Sequence, residues 1–86
     1  MTRLFSEDET IQPKLDPRGY PASFIWQGRI QNVDRVIQHW QVDTEWWSEM
    51  GQVNREYFAV TTREGILCVL YRDYLDEQWH LERVYD

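Results

Sequence analysis

The sequence predicts a mostly β fold: one small antiparallel meander curled into a barrel-like sheet, with room for one short helix. Three observations carry this. Runs of alternating apolar and polar residues recur along the 86-residue chain, turn-forming residues separate them about every ten positions, and β-branched and aromatic residues fill them. One run, Ile66–Tyr74, is apolar on both faces, so a flat sheet with one wet side cannot hold it. Curling of the sheet covers both faces at once, as a helix at Val33–Trp40 or a dimer contact also would.

The elements follow in order. Residues 1–10 (MTRLFSEDET) are polar, acidic and aperiodic, and read as a flexible N-terminal arm ahead of a single β domain over residues 11–86. Ile11 to Leu15 forms a short edge strand, because Pro13 cannot donate to a ladder. Asp16-Pro17-Arg18-Gly19 is a turn, with Pro presetting φ. Pro21 to Gln27 is a strand with Ala22, Phe24 and Trp26 on one face. Gln27-Gly28 then closes a tight hairpin.

Arg29 to Val42 is ambiguous. Ile30, Val33, Val36/Ile37 and Trp40 fit a helical stripe, but no capping box opens it and its β-branched content favours a long, bent strand. Asp43 to Asn54, with Trp46-Trp47, reads as a loop or single helical turn. Arg55 to Thr62 alternates with Phe58 and Val60 together, and Arg63-Glu64-Gly65 is a hairpin loop. Ile66 to Tyr74 is the central strand. Leu75 to Gln78 turns the chain into a last strand, whose alternation groups Trp79, Leu81 and Tyr85.

So short a chain buries only about 60% of the surface it exposes unfolded, so each large side chain weighs heavily. Five Trp, five Tyr and three Phe compensate for a small core or supply a recognition surface. The formal charge is −6, and most of it lies beyond residue 20. That disfavours sequence-independent phosphate binding, which needs a basic face. Eight of the nine basic residues are Arg, suited to stacking on rings and to forked pairing with carboxylates. Packing within the domain is the plain expectation for them.

The chemistry-bearing residues do not assemble into a catalytic set. Cys68, the only cysteine, sits in the most apolar strand and reads as a buried, inert thiol; it also excludes an internal disulfide and a cysteine-rich zinc site. His39 and His80 lie on different elements. Asp73, Asp76 and Glu77 cluster at a hairpin without the glycine and spacing of a calcium loop. The glycines stand singly, so there is no phosphate-cradling loop. The expectation is a non-enzyme with no cofactor and no metal. No run approaches the ~20 apolar residues of a membrane helix, and no signal peptide is visible, so a soluble cytoplasmic protein is expected.

Trp46-Trp47 carries the binding expectation. Adjacent residues of a strand point to opposite sides, so both indoles are hard to bury in one small core unless one caps each end of the curled sheet. With Arg29, Arg35 and Arg55 they form the candidate partner-binding set, suited to a peptide or to unstacked bases. The negative charge favours a protein partner over single-stranded nucleic acid.

The series Pro21-x-x-Phe24-x-Trp26-x-Gly28-Arg29, Val33, Val36, Trp40, Trp46-Trp47 and Arg55-Glu56-Tyr57-Phe58 resembles a small bacterial domain family of unknown function. So does the ending Leu70-Tyr71-Arg72-Asp73 with Trp79-x-Leu81-x-Arg83-Val84-Tyr85-Asp86. Similar segments occur at the C-terminus of the inactive Y-family polymerase homologue of the bacterial mutasome. The resemblance spans roughly residues 10–86. It implies an association with DNA repair or translesion synthesis through protein contacts, and brings no catalytic residues.

Overall fold

Trp26 and Arg29 face each other across a two-residue turn in which Gln27 (φ 51°) and Gly28 (φ 75°) are both left-handed. Such a turn twists as the strands do, and it fixes the register of the two strands that it joins. The computed structural model describes residues 4–5, 9–44 and 53–85, and among them every regular element is a strand. These are β1 (Leu4–Phe5), β2 (Glu9–Ile11), β3 (Lys14–Leu15), β4 (Pro21–Trp26), β5 (Arg29–Thr44), β6 (Val53–Thr62), β7 (Leu67–Asp73) and β8 (Gln78–Tyr85). The order across the sheet is β1-β8-β7-β6-β5-β4-β3, antiparallel throughout, with β2 also on β8. Thus β1 and β2 are two pieces of one edge, and the sheet, seven strands wide, curls into a half-barrel. Among the described residues no helix is long and apolar enough to cross a membrane.

The long strand wins over the helix at β5, and the reason for the ambiguity is now visible. The register with β6 skips one residue at Asp34 and another at Ile37. Each bulge turns a same-face spacing of two into three. Val33, Val36 and His39 therefore share the inner face, opposite Thr62, Val60 and Phe58, at a spacing that mimics a helical stripe. Bulges also sharpen the local twist, which helps β5 to wrap.

The inner face holds the core. Phe58, Val60 and Leu70 have no exposure, and Phe24, Cys68, Leu81 and Val84 have almost none. Trp79 packs on Phe58 with ring centroids 5.4 Å apart, and Tyr20 meets Phe58 edge-on at 5.2 Å. Full burial of each such side chain contributes about 1.5–3 kcal/mol.

Within the first ten residues, β1 and the start of β2 pair with β8. Three expectations need revision. Ile11–Leu15 is divided at Gln12-Pro13, where the chain leaves β8 for the opposite edge on β4. Asp43 and Asn54 are paired strand residues, with only 45–52 between β5 and β6 outside the described residues. In β8 a bulge at Glu82 moves Val84 into the core beside Trp79 and Leu81 and sends Tyr85 to the outer face.

Candidate functional site

Register builds an ordered grid on the outer, convex face. Strand pairing places Trp40 opposite Tyr57, Tyr57 opposite Tyr71, and Tyr71 opposite His80. One row of four rings thus crosses β5 to β8. Trp40 and Tyr57 stack nearly parallel (5.2 Å, 4°), Tyr57 and Tyr71 tilt (5.2 Å, 39°), and Tyr71 and His80 stack again (4.8 Å, 16°). Aromatic cross-strand pairs of this kind stabilise a sheet by roughly 0.5–1.5 kcal/mol each beyond their burial.

The next row is Val42, Arg55, Asp73 and Gln78. From it the Arg55 guanidinium lies 4.5 Å over the Tyr71 ring, donates from Nη1 to the Tyr57 hydroxyl at 3.4 Å, and has Nε 3.5 Å from Asp73 Oδ2. The Asp73 approach is an ion pair rather than a well-formed hydrogen bond. The Tyr57 hydroxyl, helped by the charge of Asp73, raises the Arg55 pKa further, so it is a permanent cation. Tyr71 is left only 2% exposed.

On the other side of the rings lies the row Gln38, Ala59, Val69 and Arg83, followed by Arg35, Thr61, Leu67 and Tyr85. Trp40, Val42, Tyr57, Val69, Glu82, Arg83 and Tyr85 bound a shallow groove of about 430 Å³. Arg83 reaches Tyr85 Oη at 3.5 Å and Glu82 at 3.3 Å. The groove thus has an apolar floor, an indole wall and a charged rim.

The sequence-predicted site residues scatter. Arg35 and Arg55 share this face but stand three rows apart, roughly 20 Å at strand spacing. Arg29 lies at the β4–β5 hairpin, opposite Trp26 and outside the grid. Trp46 and Trp47 fall outside the described residues. Sequence reasoning missed Trp40, Tyr57, Tyr71, His80 and Arg83 as one surface. A strand alternation in Arg55–Thr62 already puts Arg55 and Tyr57 together, but the alignment across strands depends on bulges that leave no pattern in sequence.

Three other groups bear on chemistry. Cys68 is buried, and desolvation pushes its thiol up to about 12, far from a reactive thiolate. On the inner rim, His39 stacks on Phe58 (4.6 Å, 7°), with Nδ1 3.3 Å from the Tyr20 hydroxyl and Nε2 2.9 Å from Glu56. Glu56 also accepts from Tyr74 Oη at 3.2 Å. Both ring nitrogens are thus engaged in a chain that ties the Asp16–Tyr20 turn to β5, β6 and the β7–β8 turn.

Asp73, Asp76 and His80 bring ligand atoms within 4.8 Å of one another. Each is already committed. Asp73 accepts from Leu75 N–H at 2.9 Å and faces Arg55, while Asp76 accepts from Gln78 N–H and meets His80 Nε2, both at 2.8 Å. A cation there would also sit beside a fixed guanidinium, so the donor set fits a hydrogen-bonded turn better than a metal centre.

Fold and face together define a small all-β half-barrel domain with an aromatic and arginine-bearing outer surface. The chain belongs to the family DUF6504, a domain of unknown function whose family model matches residues 2–86. No curated protein and no solved structure matches the chain.

Proposed function

We propose that the domain is a protein-interaction module whose contact surface is the convex groove bounded by Trp40, Tyr57, Val69, Arg83 and Tyr85. The observation that carries this is the groove itself: an exposed indole edge beside apolar floor residues, with a guanidinium on the rim, on a sheet rigidified by the ring row. An aromatic anchor and an arginine around a desolvated floor are the features that concentrate binding energy at protein interfaces. The net charge of −6 favours a protein partner. On the sequence resemblance alone, the partner is assigned to the DNA-damage tolerance machinery.

A second reading has one observation in its favour. The ring row with Arg55 over it has the composition of a stacking platform for single-stranded nucleic acid. Against it, Glu82, Asp73 and Asp76 lie on or beside the same face.

Affinity capture with the parent protein and with Val69→Arg, which puts a charge on the groove floor, tests the first reading. A protein retained by the parent, lost with the folded variant, and then shown to move the Trp40 indole signal on titration is the expected result. Indole shifts with a short single-stranded DNA that vanish as salt is raised would replace it with the second reading. Capture that Val69→Arg leaves unchanged would remove the groove from the interface.

A further inference from the structure

β4 leaves β5 early. Their ladder ends at Ser23 opposite Asn32, and among the described residues no strand pairs with the outer edge of β5 beyond it. The direction of the backbone groups along that edge follows from two hydrogen bonds. Asn54 C=O accepts from Tyr74 N–H at 2.9 Å, so Asn54 turns its backbone groups towards β7. Asp43, opposite Asn54, therefore forms a non-hydrogen-bonded pair with it and points its own N–H and C=O away from β6. Alternation extends this to Gln41 and His39. At the other end Asn32 C=O accepts from Arg63 N–H at 2.9 Å, which fits the same phase. Three successive outward pairs of donors and acceptors line an open edge.

Natural edges are blunted by bulges, proline, lysine or very short strands. The first part of this edge has bulges at Asp34 and Ile37. The stretch Gln38–Thr44 has no bulge, no proline and no lysine. Among the described residues it is the part of β5 left open to strand addition, with Arg18 and Tyr20 beside its Gln38–His39 end.

We propose that this edge pairs antiparallel with the same edge of a second copy of the chain, with the two-fold axis at Gln41. The side chains favour that partner and that register. On the inner face His39 comes opposite Asp43 of the second copy, with the two Gln41 amides facing each other between these pairs. Asp43 is exposed, and among the described residues it has no ion partner. On the outer face Trp40 comes opposite Val42 of the second copy, twice by symmetry, which covers an indole that is 36% exposed. Shifting the axis to Trp40 would set Asp43 against Ile37 at the bulge and Thr44 against Val36. Shifting it to His39 would run the bulge into the ladder. Of these three registers, the one at Gln41 matches polar with polar and apolar with apolar. It also joins the two convex grooves through their Trp40 walls into one continuous surface.

Sedimentation or light scattering of the full chain, from low to high micromolar, is expected to show a dimer that dissociates on dilution. Gln41→Pro removes an outward N–H without touching the β6 ladder, so it should weaken the dimer roughly tenfold or more while the circular dichroism stays as in the parent. Gln41→Cys should cross-link to itself under mild oxidation, since hydrogen-bonded antiparallel partners sit about 5.5 Å apart at Cα. Trp40→Cys should not. A monomer at every concentration overturns the proposal and leaves the edge to a strand of another protein. A dimer that cross-links through position 40 and not 41 overturns the register, and one indifferent to both changes overturns the edge. If Gln41→Pro unfolds, the cysteine pair decides alone.

Discussion

Asp16 and Asp76 perform the same task at two different turns. Asp16 Oδ1 accepts from the backbone N–H of Arg18 at 2.8 Å and of Tyr20 at 3.0 Å, and its Oδ2 holds the Arg18 guanidinium. The Tyr20 bond is the largest reason that its pKa lies below the ordinary 3.8. At Asp76 desolvation pushes upward, but the Gln78 N–H and His80 outweigh it, and the net shift is again downward. A carboxyl lowered in the folded state contributes stability above its unfolded value and loses it as the pH falls through the folded value. Urea midpoints followed from pH 7 towards pH 3 should therefore decline below about pH 4 in the parent. The Asp16→Ala/Asp76→Ala double variant should be weaker at pH 7 and decline less over that window. Parallel declines would show that neither turn is held by its ionised carboxylate. The Asp16 turn was legible because Asp-Pro-x-Gly encodes it locally, whereas the bond from His80 to Asp76 depends on the β7–β8 register.

Bulges explain most of what the strands concealed. Period-two reading put Phe58 and Val60 on one face, and both lie in the core, because β6 runs against β7 without interruption. It failed at Tyr85 and wavered at β5, where extra residues at Glu82, Asp34 and Ile37 change the phase without any composition signal. The same geometry makes a prediction about deletions. Removing Glu82 restores simple alternation, with Leu81 and Val84 still inward and Arg83 still outward. The deletion takes away the exposed ion pair between Glu82 and Arg83, worth about 1 kcal/mol or less. It should yield a cooperatively folded protein with a melting temperature a few degrees from the parent. Removing Val69, which faces Arg83 across the ladder, instead reverses Leu70 and Tyr71, and Leu70 has no exposure in the parent. That variant should lose its near-ultraviolet dichroism and its cooperative melt. If both deletions were tolerated equally, the register of β7 on β8 would not be fixed by the core.

At the scale of the molecule, the chain closes on itself. Curling was legible, since a run apolar on both faces demands cover, but its closure was not. The first residues are largely polar and acidic, yet Leu4 pairs with Tyr85 and Ile11 with Trp79. β2 also touches β4, so it bridges the open side of the half-barrel. These pairs join the most distant parts of the sequence, while β5 to β8 follow one another as neighbouring antiparallel strands. Loop-closure entropy delays the distant pairing relative to the local pairings. Deleting residues 1–11 removes Ile11, which is 6% exposed, and uncovers the edge of β8 beside Trp79 and Leu81. Loss of one buried side chain of this size costs about 1.5–3 kcal/mol before the missing ladder is counted. If the N-terminal pairing forms after the transition state, that cost falls on unfolding. Stopped-flow kinetics in urea should then show the unfolding limb of the truncated chain raised by roughly 30-fold and the folding limb nearly unmoved. A slowed folding limb with unchanged unfolding would place the N-terminal edge in the folding nucleus, and the strands β5 to β8 would be insufficient to start the fold.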